Sequence, residues 1–380
     1  MSAQTQRLAV MAAVLVAIAI GFHLLTGSFL TAENLYNIAQ QTAVVGIVAS
    51  GMALIIVARQ IDLAVGSLLG AVGVLMAWLQ YTQGWSVVAS LFAGLALALL
   101  VGLFQGWLSA VIGIPSFVVT LGGLVSLRGV AFLVADGKTQ PITEPWLLAL
   151  GGGLDGSLGE RGSWLLGVGL VVLLLSWQLV QRRAQLRAGG VPGDIRHELL
   201  KAGLAIFTVF GTVAVFNAYR IEGMEQGQGL PLPLVIWVAV VLLLGFIAKH
   251  TRFGRYVYAI GGNPDAARLA GIPVRRVMIQ LNLLLAALVA LAAVVAMARL
   301  NAGTNSMGTG MELTVIAAAV IGGVSLAGGS GSVGGTVLGA LIIQSIDSGL
   351  LLTDVTIGWR MVVLGQVLVA AVVFDRVVQK

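Results

Sequence analysis

The sequence predicts an all-α polytopic membrane protein with about twelve transmembrane helices, ten to fourteen being the range its apolar runs allow. Three observations carry that expectation. Of the 380 residues, 58% are hydrophobic and only 9% are charged, and the mean hydropathy is +1.01. A soluble domain carries roughly a quarter Asp, Glu, Lys and Arg. The apolar residues also fall into runs of 16–27 residues, near the ~20 that one crossing needs. Finally, the basic residues gather at the ends of these runs, which is the positive-inside pattern rather than the basic face with aromatic platforms that binds nucleic acid. With no cysteine in the chain, a disulfide scaffold, thiol catalysis and cysteine-ligated zinc are excluded.

The runs lie near 8–27, 43–58, 63–81, 86–112, 116–135, 164–181, 200–217, 232–248, 277–298, 312–327, 333–351 and 359–374. The first follows Arg7 and contains Ala17-Ile18-Ala19, which resembles a cleavage site. It continues to Leu25, so an uncleaved span is expected. The second and third are separated by Arg59-Gln60-Ile61-Asp62. That charged break is either an ion pair bridging a short turn or a discontinuous helix lining a path.

After the fifth run, the 136–163 linker holds Asp136, Lys138, Glu144, Asp155, Glu160 and Arg161 among many glycines, and is expected outside the cytoplasm. The sixth and seventh runs flank Arg182, Arg183, Arg187, Arg196 and Lys201 against Asp194 and Glu198. The eighth and ninth flank Lys249, Arg252, Arg255, Arg268, Arg275 and Arg276 against Asp265. Both loops are expected in the cytoplasm. Between them, the 218–231 loop has Arg220 against Glu222 and Glu225. Both termini then fall inside, as Arg7, Arg376 and Lys380 favour. Residues 1–380 form one transmembrane domain, since no loop is long enough for a soluble catalytic domain.

Two stretches resemble one another: Val65-Gly66-Ser67-Leu68-Leu69-Gly70-Ala71 and Val333-Gly334-Gly335-Thr336-Val337-Leu338-Gly339-Ala340. Each follows an apolar run of the same direction, a weak two-fold repeat of the kind that flanks transport paths. Most of the 51 glycines suit close helix packing. The two GxGxxG matches, at 151–156 and 329–334, lack the strand and βαβ context of a dinucleotide site. Gly137-Lys138-Thr139 has Phe132 where a phosphate loop needs its first glycine. Gly328-Gly329-Ser330-Gly331 looks like the serine motif of intramembrane proteases, but none of His23, His197 and His250 is placed to activate it.

Charged and polar groups in or beside spans are the candidates for a pathway. They include Asp62, Arg128 and Glu312, with Asp347 and Asp354 later in the chain. Asn34, Gln40, Gln41, Ser67, Gln105, Gln280, Asn282 and Gln344 add neutral donors and acceptors suited to hydroxyl-rich solutes, or equally to bonds between helices.

The richest stretch is the 249–276 loop. Asn263 suits a helix N-cap, Pro264 the first helical position and Asp265 the positive helix end. Ala266, Ala267, Leu269 and Ala270 supply the turn, and Gly271 can end it with a left-handed backbone. A short amphiphilic cytoplasmic helix among basic residues follows.

Here the chain resembles the permeases of ABC importers. Asp265-Ala266-Ala267 with Gly271 is similar to their EAAxxxG signature, with Asp for Glu. Ile61-Asp62-Leu63-Ala64-Val65-Gly66-Ser67 resembles the IDLSVGS stretch of monosaccharide-importer permeases, departing at Ala64. Pro115 to Gly122 (with Ser116 and Thr120), Arg128-Gly129, and Val320 to Gly329 are similar to further stretches, in family order. An insertion around 164–231 resembles the D-xylose branch.

The resemblance implies an ABC-importer permease architecture in a bacterial inner membrane. Gly261, Asn263, Pro264, Asp265, Ala266, Ala267, Arg268 and Gly271 would form a coupling helix that docks on a separate ATPase subunit. Mg-ATP would bind that subunit, and no cofactor or metal this chain. A periplasmic or lipid-tethered sugar-binding protein, a second permease copy and membrane lipid would be the partners, with no nucleic acid. The alternative is an ATP-independent channel or ion-coupled carrier leaning on Asp62, Arg128 or Glu312.

Overall fold

A computed structural model describes residues 3–153, 156–187, 189, 195–221, 223 and 226–378. Asp155, Asp194, Glu222, Glu225 and Lys380, which count in the loop charges above, lie outside the described residues, as do the side chains of Arg196, His197, Lys201 and Arg376. The chain is helical almost throughout. The helices are α1 (Ala3–Thr26), α2 (Ala32–Val57), α3 (Val65–Tyr81), α4 (Val87–Trp107), α5 (Ser116–Val134), α6 (Pro145–Ala149), α7 (Gly159–Arg187) and α8 (Ile195–Ala218), then α9 (Leu232–His250), α10 (Arg252–Gly262), α11 (Pro264–Leu269), α12 (Val274–Leu300), α13 (Met311–Ile321), α14 (Val333–Leu352) and α15 (Ile357–Val378). Among the described residues, nine helices are long and apolar enough to cross a bilayer, and shorter apolar helices occupy the other three expected positions.

The core is built on α2, which is buried along nearly its whole length against α9, α12, α13 and α14. Helix α12 extends it towards α3 and α4. Facing outward are Phe92, Leu100, Leu133, Leu165, Leu173 and Phe207, all well exposed. In water that surface would be costly; against lipid chains it is the ordinary exterior of a helical membrane protein. Close helix approach follows the glycines expected for it: a side chain on Gly339 would collide with the carbonyl of Ala318, and one on Gly335 with that of Gly322.

Each helix end has a local cause. Ser86 caps α4 by accepting from the Ala89 N–H, and Ser332 caps α14 by accepting from that of Gly335. Helix α4 unwinds through a π turn at Leu108–Ile112, ends on left-handed Gly113, and Pro115 precedes the start of α5. The run expected at 312–327 is shortened: α13 stops at Ile321, because Gly322 and Gly323 (φ 91°) turn the chain, and Gly328, Gly329 and Gly331 continue the turn to Ser332.

Helix α13 has 11 residues, about 16 Å, only half the ~30 Å of a hydrocarbon core. The other half of that crossing is non-helical. Strand β2 (Ala302–Gly303) pairs antiparallel with β1 (Gln140–Pro141) at one end of the bundle. From there 304–310 runs along α3, where Gly73 admits Gly303 and the Met307 side chain, Gly70 the Met307 carbonyl, and Gly66 the Gly308 carbonyl. The glycines of α3 therefore seat an irregular chain rather than another helix. Such backbone is tolerated at depth only when protein or water satisfies it.

At the other end, which carries the basic loop, the turns after α2, before α5, around α10–α11 and between α13 and α14 meet. The two similar stretches open α3 and α14 directly after two of these turns. The turns touch, the Gly329 N–H donating to the Val57 carbonyl at 2.8 Å.

Candidate functional site

The basic end is organised around the 251–273 segment. Thr251 caps α10 by accepting from the Gly254 N–H at 3.1 Å. Helix α10 is amphipathic: Gly254, Val257, Ile260 and Gly261 are buried on one face at helical spacing. Tyr258 donates its hydroxyl hydrogen to the Gly331 carbonyl at 2.9 Å.

One extended residue later, Asn263 starts α11, its Oδ1 accepting from the N–H groups of Asp265 and Ala266 at 3.0 Å each. Pro264 occupies the first turn. Gly271 closes the segment at φ 80°, and the Ile272 N–H donates back to the Ala267 carbonyl. Ala267 is buried, whereas Leu269 is 91% exposed. Asp265 and Arg268 lie exposed, 3.6 Å apart; such a pair contributes little to stability. The result is a capped knob offering Asp265, Arg268 and Leu269 to the outside.

Beneath the knob lies the α2–α3 break. Arg59 and Asp62 do not pair with each other. Arg59 donates from Nε to the Gly261 carbonyl at 2.6 Å and from Nη2 to that of Gly262 at 2.7 Å. Asp62 turns inward, and its Oδ1 accepts from the Ala64 N–H at 2.7 Å. Burial pushes the Asp62 carboxyl up to about 6, against backbone hydrogen bonds that hold it down.

The break is clamped from two sides. Ser116 accepts from the Ile61 N–H at 3.2 Å, and the Thr120 hydroxyl, which donates to the Ser116 carbonyl at 2.9 Å, packs 3.3 Å from the Ile61 carbonyl. Asn282 of α12 donates to Gln60 Oε1 at 3.2 Å. Four of the expected pathway residues, Asp62, Ser116, Thr120 and Asn282, thus converge on one break and hold it together. Ser67 is buried at the start of α3, and Gln105 abuts Gly123 of α5.

Arg128 performs a similar service from α5. Its Nη1 donates to the carbonyls of Asn305 and Met307 at 2.7 and 2.9 Å, satisfying the irregular 304–310 chain. Glu312 Oε2 is buried beside Gly66 without a hydrogen-bond partner among the described residues.

A cavity of about 200 Å³ opens between α2, α3, α12, the irregular segment and α14. Gln41, Arg299 and Gln344 supply its polar lining, with Met307, Gly308 and Met311 beside them. Gln344 donates to Gln41 at 3.3 Å. Of the pathway residues expected from sequence, Gln41 and Gln344 line this cavity. Asn34 instead donates to the Phe29 carbonyl and accepts from Ser348. Among the later candidates, Asp347 pairs with Arg360 at 2.7 Å, and Asp354 has φ 55° beyond the end of α14.

The sequence marks Arg59 only as half of a charged break, and does not mark Arg299 at all. Arg59 was legible as a charge at a break, but its partners lie about 200 positions away. Arg299 ends an apolar helix as many basic residues do.

The fold is that of a multi-pass helical membrane protein, and its relatives make it a permease subunit. Residues 34–372 match the family described as branched-chain amino acid transport system / permease component, and the chain belongs to that family. It is 38% identical to the xylose transport system permease protein of Haemophilus influenzae over 92% of this chain and 90% of that protein. To the protein of the same name from Escherichia coli K12 it is 37% identical over 98% of this chain and 92% of that one. The ribose import permease protein of the same strain is 32% identical over 93% and 88%. No solved structure matches the chain significantly.

Proposed function

We propose that this chain is the membrane-spanning subunit of a binding-protein-dependent ABC importer that carries D-xylose inward. The observation that carries the reading is the capped knob of 263–271 at the basic end, a docking element for which a free carrier or channel has no use. The xylose assignment rests on likeness to the xylose permeases along nearly the whole chain.

In this reading the basic end and both termini face the cytoplasm, and the 136–163 linker faces outward. A periplasmic or lipid-tethered binding protein delivers the sugar. Two permease copies form the path, and two ATPase subunits bind Mg-ATP and grip the knobs. This chain catalyses no reaction; it supplies the docking surface and the conduit. The cavity of Gln41, Arg299 and Gln344 suits a hydroxyl-rich solute, which needs donors and acceptors in place of water.

The test is uptake of labelled D-xylose into proteoliposomes carrying the permease, its ATPase and its binding protein, with and without internal ATP. ATP-dependent uptake resistant to ribose and galactose is expected. ATP-dependent uptake that prefers another sugar overturns the substrate, and uptake by the chain alone, indifferent to ATP, overturns the importer.

A further inference from the structure

We propose that Arg59 is the positioning residue that couples the docking knob to the helices of the path, an inference that rests on the importer reading above. Arg59 follows α2 in the left-handed conformation, φ 62°. The turn is a paired one: the Arg59 N–H donates to Ile56 at 2.9 Å and the Gln60 N–H to Ile55 at 3.0 Å. This is the helix-ending position that glycine fills best, and any side chain there strains the backbone. What arginine adds is its guanidinium, and the guanidinium reaches the carbonyls of Gly261 and Gly262.

These carbonyls end α10, where the helix dipole is negative, and they immediately precede Asn263, the cap of the knob. Two donors from one planar group fix orientation as well as distance. A third turn joins at the same place: a side chain on Gly328 would meet Arg59 Cγ, and one on Gly261 would collide with the Val57 carbonyl. The next residues, Gln60 and Ile61, are held by Asn282 of α12 and by Ser116 of α5, with Thr120 packed against Ile61. A displacement of the knob therefore passes through Gly261–Gly262 to Arg59, and from there to α2, α3, α5 and α12.

Arg59→Gly separates this role from a structural one, because glycine relieves the left-handed backbone while removing the guanidinium. Wild type, Arg59→Gly and Arg59→Lys would be reconstituted with the ATPase and binding protein. Uptake, basal ATP hydrolysis and its stimulation by sugar-loaded binding protein would be measured in the same vesicles. The expected result for Arg59→Gly is normal insertion, normal co-purification of the ATPase and normal basal hydrolysis. Uptake and stimulation should fall about ten-fold or more, the scale of a lost charge-assisted contact. Arg59→Lys should recover part of both, since one ammonium can reach one carbonyl.

Wild-type uptake and stimulation in Arg59→Gly overturn the proposal. Loss of ATPase co-purification would make Arg59 a docking residue, and failure to insert would make it a folding residue; either overturns it too. Absence of ATP-driven uptake in the wild-type vesicles strikes instead at the importer reading.

Discussion

At the scale of single residues, two positions have consequences that depend on backbone or charge rather than on bulk. Gly271 has open space around it and φ 80°, so only its backbone restricts substitution. A β-branched side chain there costs about 1–2 kcal/mol, enough to reshape the end of the knob without unfolding the bundle. Gly271→Val is expected to insert normally and to lose most uptake in the vesicle assay, whereas Gly271→Asn, which tolerates the left-handed region, retains most of it. Asp62 is a matter of charge. Its carboxyl is raised to about 6 by burial, so its contribution to stability is full below the ordinary value near 4 and is lost as pH climbs through 6. Asp62→Asn keeps the acceptor for the Ala64 N–H and cannot ionise. Its melting temperature in detergent should exceed that of wild type at pH 7.5 and match it at pH 4.

Among the elements, the half-helix α13 and the irregular chain before it are the least self-sufficient. A helix satisfies its own backbone; residues 304–310 cannot, and Arg128 supplies two of the missing bonds. Arg128→Met leaves both carbonyls without that donor, at about 1–3 kcal/mol for each buried group left unpaired. The variant should melt earlier in detergent. Lysine at this position should recover only part of the loss, because a point charge cannot reproduce the guanidinium fork. Equal melting of the two variants and wild type would remove Arg128 from the support of this segment.

For the whole molecule, the absence of cysteine from the chain makes orientation directly measurable. Leu269→Cys, at the tip of the knob, should react with an impermeant thiol reagent only from the cytoplasmic side. Asp136→Cys, at the opposite end, should react only from outside. Labelling in the reverse sense would overturn the positive-inside assignment and with it the placement of the ATPase.

The sequence alone determined the chemistry of the exterior and the positions of the apolar helices. Apolar runs of bilayer length leave few other ways to fold, and all twelve expected positions hold apolar helices. It also determined the knob, because N-capping, proline at the first turn and a closing glycine act within ten residues. Tertiary structure decided what those local rules cannot reach. The stretch at 312–327 is mostly apolar and looks like a full span, yet α13 stops at Ile321, where Gly322 and Gly323 turn the chain. Residues 304–310 before it stay out of a helix against the glycine face of α3 and Arg128. Arg59 and Asp62 are sequence neighbours of opposite charge that look like a pair. They part because Gly261 and Gly262, some 200 positions later, offer carbonyls that one guanidinium can bind together. Local signals fix elements, but the partner of a buried charge is chosen by whichever groups the packed bundle brings within hydrogen-bond reach.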